Sequence, residues 1–166
     1  MERKIIVCLK KGGQRDMAEA FVERIGAVLT EQPGEELTVL FDASGVSLMG
    51  YGLTYQGNFE TMLHRVTCGR LQHEMLVRAA KKNGDRLKGI DATAGMGEDA
   101  FLLAAYGYEM TLYEQNPVVA ELLKDALRRA RNHPLLKEIA ERMTLIEEDS
   151  VDGLKNSRGE NDLIYL

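Results

Sequence analysis

Apolar and polar positions follow two rhythms along this chain, and the rhythm changes near residue 87. In the first part, Ile5-Ile6-Val7-Cys8-Leu9 is a continuous, β-branched run that predicts a buried strand over residues 4–9. Met17, Phe21, Ile25, Val28 and Leu29 recur at helical spacing, so one helix is expected over 15–30, ended by Gln32-Pro33-Gly34. Leu37 to Phe41 predicts a second strand. Residues 45–66 are rich in glycine and β-formers and predict a hairpin or irregular β structure. Leu71, Met75, Leu76, Ala79 and Ala80 then share one face of a helix expected over 70–82, closed by Asn83-Gly84-Asp85.

From residue 87 the pattern becomes regular. It predicts a strand at 87–91, a helix at 98–106 stopped by Gly107, and a strand at 108–113. Asn116-Pro117 starts another helix, with proline at its first position and an apolar stripe of Val119, Leu122, Leu123, Ala126, Leu127 and Ala130. A short helical piece at 134–142, a strand at 143–147, a turn at Asn156-Ser157-Arg158-Gly159 and a strand at 162–166 complete the chain. Alternating strands and helices imply a parallel sheet with covering helices. The expected fold class is α/β: a Rossmann-like sheet over 67–166, incomplete at its C-terminal flank, with a small N-terminal α/β subdomain over 1–66. A strand as the last segment leaves an exposed edge, so the chain is expected to be part of a longer protein.

The 166 residues fit one domain with an appendage. No apolar run approaches the ~20 residues of a membrane span, and the N-terminal run is too short for a secretory signal. A cytoplasmic protein without a membrane partner is expected. Cys8 and Cys68 form no C-x-x-C pair and His64, His73 and His133 are scattered, so no metal is expected and both thiols should be reduced. A net charge of −5 argues against a generally basic nucleic-acid binder. Locally, however, Arg65, Arg70, Arg78, Lys81, Lys82, Arg86 and Lys88 outnumber Glu74 and Asp85. This stripe over 65–88 is either a solvated helix face or a phosphate-binding face.

The chemistry concentrates in Asp91-Ala92-Thr93-Ala94-Gly95-Met96-Gly97-Glu98-Asp99, a strand end, a glycine turn and a helix start. Glycines let backbone N–H groups approach a ligand, and the helix adds its positive end. Glu114, at the tip of the next strand, can hold a ribose diol. Asp91, Glu114 and Asp149 all fall at or just past strand ends, where ligands bind in such sheets. Each alone is also an ordinary cap or turn residue. Gly95-Met96-Gly97-Glu98-Asp99-Ala100 formally satisfies the dinucleotide fingerprint. Three features favour S-adenosylmethionine (SAM) instead: Asp91 four residues before Gly95 resembles the D-x-x-x-G-x-G motif of class I methyltransferases, Glu114 leading into Asn116-Pro117 resembles their usual continuation, and Asp149 is an acceptor for an adenine amine. Carboxylates at Glu98 and Asp99 would repel a pyrophosphate but tolerate a sulfonium or ammonium.

Asp91 to Phe101, with Tyr113-Glu114-Gln115-Asn116-Pro117-Val118-Val119-Ala120, resembles the RsmJ-type guanine-N2 methyltransferases of small-subunit ribosomal RNA. Their motifs read D-A-T-A-G-x-G-x-D-A-F and L-E-x-N-P-V-V-A. The resemblance is strongest over 88–131, extends over 62–166 and is weak over 1–61. It implies a class I methyltransferase fold, SAM as cofactor and ribosomal RNA as partner. By the same resemblance Glu98, Asp99 and the Gly95–Gly97 backbone contact the methionine end, and Asp91, Thr93 and Ala94 belong to the cofactor-binding set. Glu114 and Gln115 hold the ribose and flank the adenine, and Asp149 and Ser150 lie against the adenine. His64, Arg65 and Arg70 are the implied RNA contacts. Glu98 and Gln115 depart from the family, which often carries arginines there. The family's Asp-Pro-aromatic catalytic motif is expected just beyond Leu166, so this chain alone is expected to bind cofactor without turnover. Three alternatives stay open: a methyltransferase of transfer RNA or a small molecule, a nicotinamide-dependent oxidoreductase, and a non-catalytic interaction module.

Overall fold

A computed structural model describes residues 5–34, 37–67, 69–156 and 160–166. Cys68 and the turn at 157–159 lie outside the described residues. The chain divides into two compact units, Met1–Gly57 and Asn58–Leu166. The expected boundary at 66/67 is thereby displaced, because Phe59 and Met62 are buried in the core of the second unit.

The first unit is a five-stranded sheet of order β2-β1-β3-β4-β5. β1 (Ile6–Leu9) pairs parallel with β2 (Val28–Thr30) and with β3 (Thr38–Asp42). β4 (Gly45–Gly50) and β5 (Leu53–Tyr55) continue antiparallel. Their two-residue turn holds Tyr51 and Gly52 at φ 53° and 76°, the positive pair such hairpins require. α1 (Arg15–Ile25) buries Ala18 and Phe21. The helix expected through residue 30 ends early: Gly26 adopts φ 65° and its N–H closes on the Val22 carbonyl. Val28 and Leu29, which continued the helical spacing, enter β2 instead.

The second unit opens with a 3-10 turn (Phe59–Met62) and α2 (Leu63–Val66). Where one helix was expected over 70–82, a 3-10 turn (Leu71–His73) and α3 (Met75–Ala79) are separated at Glu74, whose ψ of 129° is extended. Leu71, Leu76 and Ala80 of the expected face meet the core, but Met75 is 82% exposed and Val77 is buried in its place.

The parallel alternation follows: β6 (Lys88–Asp91), α4 (Glu98–Tyr106), β7 (Glu109–Tyr113), α5 (Pro117–Arg131), α6 (Lys137–Glu141), β8 (Met143–Ile146), α7 (Ser150–Asn156) and β9 (Leu163–Tyr165). The sheet order is β8-β7-β6-β9, with all pairings parallel. Met110, Leu112 and Met143 join α4, α5 and α6 in the main core, where Phe59 stacks on Phe101 at 4.7 Å. Ile90, Ala92 and Tyr113 form a second cluster with Leu154 of α7. Strand alternation thus sends β7 side chains to two cores, and α7, absent from the sequence expectation, covers the second. Among the described residues, no helix is long and apolar enough to cross a membrane.

Candidate cofactor site

Parallel register sets Asp91 beside Leu112, so the loop leaving β6 runs past the tip of β7. There Glu114 bridges two segments. One carboxylate oxygen accepts the Gly95 N–H at 3.1 Å and the other accepts the Asn116 N–H at 2.7 Å. The side chain ties the glycine loop to the start of α5, where Asn116 caps Val118 and Val119. A carboxylate has about four lone-pair positions, so acceptor capacity remains for a ligand hydroxyl.

Three more of the loop's donors are engaged. Thr93 N–H donates to the Asp91 carboxylate, Ala94 N–H to the Tyr113 carbonyl and Gly97 N–H to the Ala94 carbonyl. The loop shape is therefore fixed by the protein. The first turn of α4, whose N–H groups lack helical partners, offers further donors. Gly97 plays a structural part: it sits at φ 73°, and a Cβ there would lie 3.0 Å from Leu123 and 3.2 Å from Leu112.

A cavity of about 210 Å³ adjoins the loop. It gathers Thr93, Gly95, Glu114, Gln115 and Ser150 from the expected set, and adds Ala92, Tyr113 and Glu148. Asp91, Ala94, Gly97, Glu98, Asp99 and Asp149 do not line it. Asp149 instead caps α7, accepting the Val151 N–H at 2.8 Å. Asp99 accepts the Tyr165 hydroxyl at 2.7 Å, joining the start of α4 to the tip of β9. Glu148, Tyr165 and Gly153 were missed by sequence reasoning. The acidic run Glu147-Glu148-Asp149 and a glycine inside a helix were the available signals.

Asp91 is only 2% exposed. Burial pushes its carboxyl up to about 6; the Thr93 N–H opposes this and the charges of Asp99 and Glu114 reinforce it. A carboxyl raised in the fold favours the folded state fully below its unfolded value of 3.8, and that contribution is lost as pH rises through 6. Asp91→Asn should remove this loss, raising unfolding free energy at pH 7.5 by up to about 3 kcal/mol relative to its effect at pH 4. Urea melts at both pH values check it, and equal changes at both would refute it.

Of the implied RNA contacts, Arg65 is held by Glu74 through Nε at 2.9 Å and Nη2 at 2.7 Å. This pairing raises Arg65 and lowers Glu74. Asp99 and Glu98 also raise Arg65, through weaker charge interactions. His64 Nδ1 donates to the Thr61 carbonyl at 2.8 Å, and Arg70 is exposed. Lys82 pairs with Asp162, which also accepts the Lys88 N–H. The basic stripe thus spans several short elements, with Arg65 and Lys82 paired to acids. No group of three potential metal ligands occurs among the described residues.

A family model described as "Putative SAM-dependent methyltransferase" matches residues 52–166. The chain belongs to this methyltransferase family. The proteins named ribosomal RNA small subunit methyltransferase J are similar: that of Pseudomonas aeruginosa is 33% identical over 162 residues, and that of Alkalilimnicola ehrlichii 39% over 147. The alignments cover 93% and 82% of this chain but 62% and 54% of those relatives, so the chain spans less than two thirds of their length. A solved SAM-dependent methyltransferase from Neisseria gonorrhoeae has the same fold, with a TM-score of 0.80 at 26% identity over 98% of this chain and 69% of that one. The resemblance drawn from residues 91–101 and 113–120 is borne out, as is the methyltransferase sheet. The oxidoreductase and interaction-module alternatives are not favoured. SAM is the cofactor of the family.

Proposed function

We propose that this chain holds SAM at the tips of β6 and β7, as the cofactor-binding part of an enzyme that methylates a guanine exocyclic amine in small-subunit ribosomal RNA. One observation carries the cofactor assignment. The described lining of the cavity includes two carboxylates, Glu114 and Glu148, and no cationic side chain. Such a lining repels a pyrophosphate and suits a nucleoside attached to a sulfonium. Glu114 accepts the ribose hydroxyls, with Gln115 beside it, while Glu148 and Ser150 border the adenine. The first turn of α4 meets the methionine end: its N–H groups take the carboxylate, and Glu98 and Asp99 attract the ammonium. When bound, the cofactor supplies an already activated methyl group, so displacement by an amine depends mainly on alignment. The fixed glycine loop provides that alignment at the cofactor end. The RNA assignment is supported by the names of the relatives and by Arg70, Arg78, Lys81 and Arg86 along the basic stripe.

Calorimetric titration with S-adenosylhomocysteine, with NAD as comparator, tests the cofactor reading. Micromolar binding of the former alone is expected, and preference for NAD would sink it. Gly153 offers a second check. A Cβ at this position would fall 2.2 Å from the Tyr113 ring and 2.7 Å from Glu148 Oε1. Gly153→Ala must move one of these cavity-lining side chains and should weaken S-adenosylhomocysteine at least tenfold; unaltered affinity would contradict this placement.

A further inference from the structure

The first unit has a crevice of its own that the cofactor reading does not use. β1 lies between two parallel neighbours, with β2 on one flank and β3 on the other. The chain leaves β1 through α1 to reach β2, and the carboxyl ends of β1 and β2 lie side by side. In open α/β sheets ligands bind outside the carboxyl ends of the strands.

Here the crevice measures about 640 Å³, and Lys10, Lys11, Gly12, Gly13, Arg15 and Glu31 are among its lining residues. Three cations therefore meet one carboxylate, in a chain whose net charge is −5. No ion pair engages Lys10 or Lys11 among the described residues. Arg15 pairs with Glu19 at 3.1 Å, but both side chains are more than half exposed, and such pairs exchange partners at little cost. The turn itself is tightly built. Lys10 N–H donates to the Phe41 carbonyl at 2.8 Å and Gly13 N–H to the Lys10 carbonyl at 3.0 Å. A Cβ on Gly13 would fall 2.5 Å from the Phe41 carbonyl oxygen, so only glycine lets the turn lie this close to β3. The described lining holds no aromatic ring on which a base could stack. Ammonium and guanidinium groups without stacking surfaces match phosphate oxygens rather than base edges.

We propose that this crevice docks backbone phosphates of the RNA substrate, making the first unit a sequence-independent RNA-holding surface. The proposal rests on the RNA-methyltransferase reading above. Fluorescence anisotropy of the whole chain with a labelled single-stranded RNA of about 16 nucleotides tests it. The variants are Lys10→Ala/Lys11→Ala/Arg15→Ala, the milder Lys11→Glu in case the triple variant unfolds, and Lys137→Ala/Lys155→Ala as a control in the second unit. The triple variant should bind at least tenfold more weakly near 0.1 M salt. Its log-log salt slope should fall by about 2, as expected for three lost contacts to a single strand. Unchanged affinity and slope would overturn the proposal, as would an equal loss in the control. Inorganic phosphate separates the two sources of the anion: saturable binding of phosphate lost in the triple variant, with RNA binding unaffected, also overturns it. S-adenosylhomocysteine titration of the same preparations keeps the two readings apart. Retained binding without any RNA affinity defeats the docking surface alone, whereas absent binding in the unsubstituted chain defeats the proposed cofactor site.

Discussion

Replacing Glu114 by alanine should weaken S-adenosylhomocysteine binding at least a hundredfold, about 2.8 kcal/mol. The carboxylate does two things at once. It offers acceptors toward the cavity, and it satisfies the N–H groups of Gly95 and Asn116 from opposite sides. Alanine removes the ligand contact and leaves two backbone donors without a protein partner; each costs about 1–3 kcal/mol if water cannot replace the lost bond. Glu114→Gln separates the effects. The amide keeps one acceptor but points an NH₂ group at one of the two donors, so an intermediate loss is expected. Calorimetry on both variants measures this, alongside melting temperatures. Alanine binding as well as glutamine would show that the bridge to Gly95 and Asn116 does not matter. Full affinity in alanine would remove Glu114 from the site.

Gly97→Ala should be the most destabilising single-methyl change in the loop, costing about 2–4 kcal/mol. Two penalties combine there. The left-handed conformation at φ 73° disfavours any Cβ by about 1–2 kcal/mol. The added methyl also presses on Leu123 and Leu112, buried side chains of α5 and β7 that have little room to yield. Gly26→Ala is the matched control. Its φ of 65° is similar, but nothing lies within 4 Å of its Cβ, so only the backbone penalty remains. Urea unfolding of both variants gives the packing cost by difference. Equal destabilisation would show that the close approach of α5 is not what demands glycine at position 97.

The glycine loop and its surroundings were legible because the signals there are local and punctuated. Gly97 and Gly107 bracket α4, and Asn116-Pro117 marks α5, so those elements fall at the expected residues. Where one period runs across two elements, the sequence misleads. Met17, Phe21, Ile25, Val28 and Leu29 keep helical spacing across Gly26, yet the left-handed turn there redirects Val28 and Leu29 into a strand. Between 70 and 82 the pattern could not show that Val77, rather than Met75, would meet the core. In the site itself, proximity to the loop was legible and orientation was not. Asp149 stands where an adenine partner was expected, but an aspartate just before a helix has a nearer partner in the helix's own N–H groups, and takes it. Tyr165 carried no motif, and only the pairing of β9 with β6 brings it to Asp99.

The strand order has a consequence for the order of assembly. β6, β7 and β8 pair with their neighbours in chain order, each across a single helical crossover or a helix pair. β9 must return past both of the others to join β6, closing Gly89 onto Leu163 over more than seventy residues. Short loops close early and long ones late, because closure entropy grows with the separation. Every residue lining the nucleoside cavity precedes residue 151, whereas the Tyr165 latch on Asp99 exists only once β9 has docked. The cavity nevertheless depends on that last strand, because the N–H of Ala92 in its lining donates to the Tyr165 carbonyl of β9 at 2.9 Å.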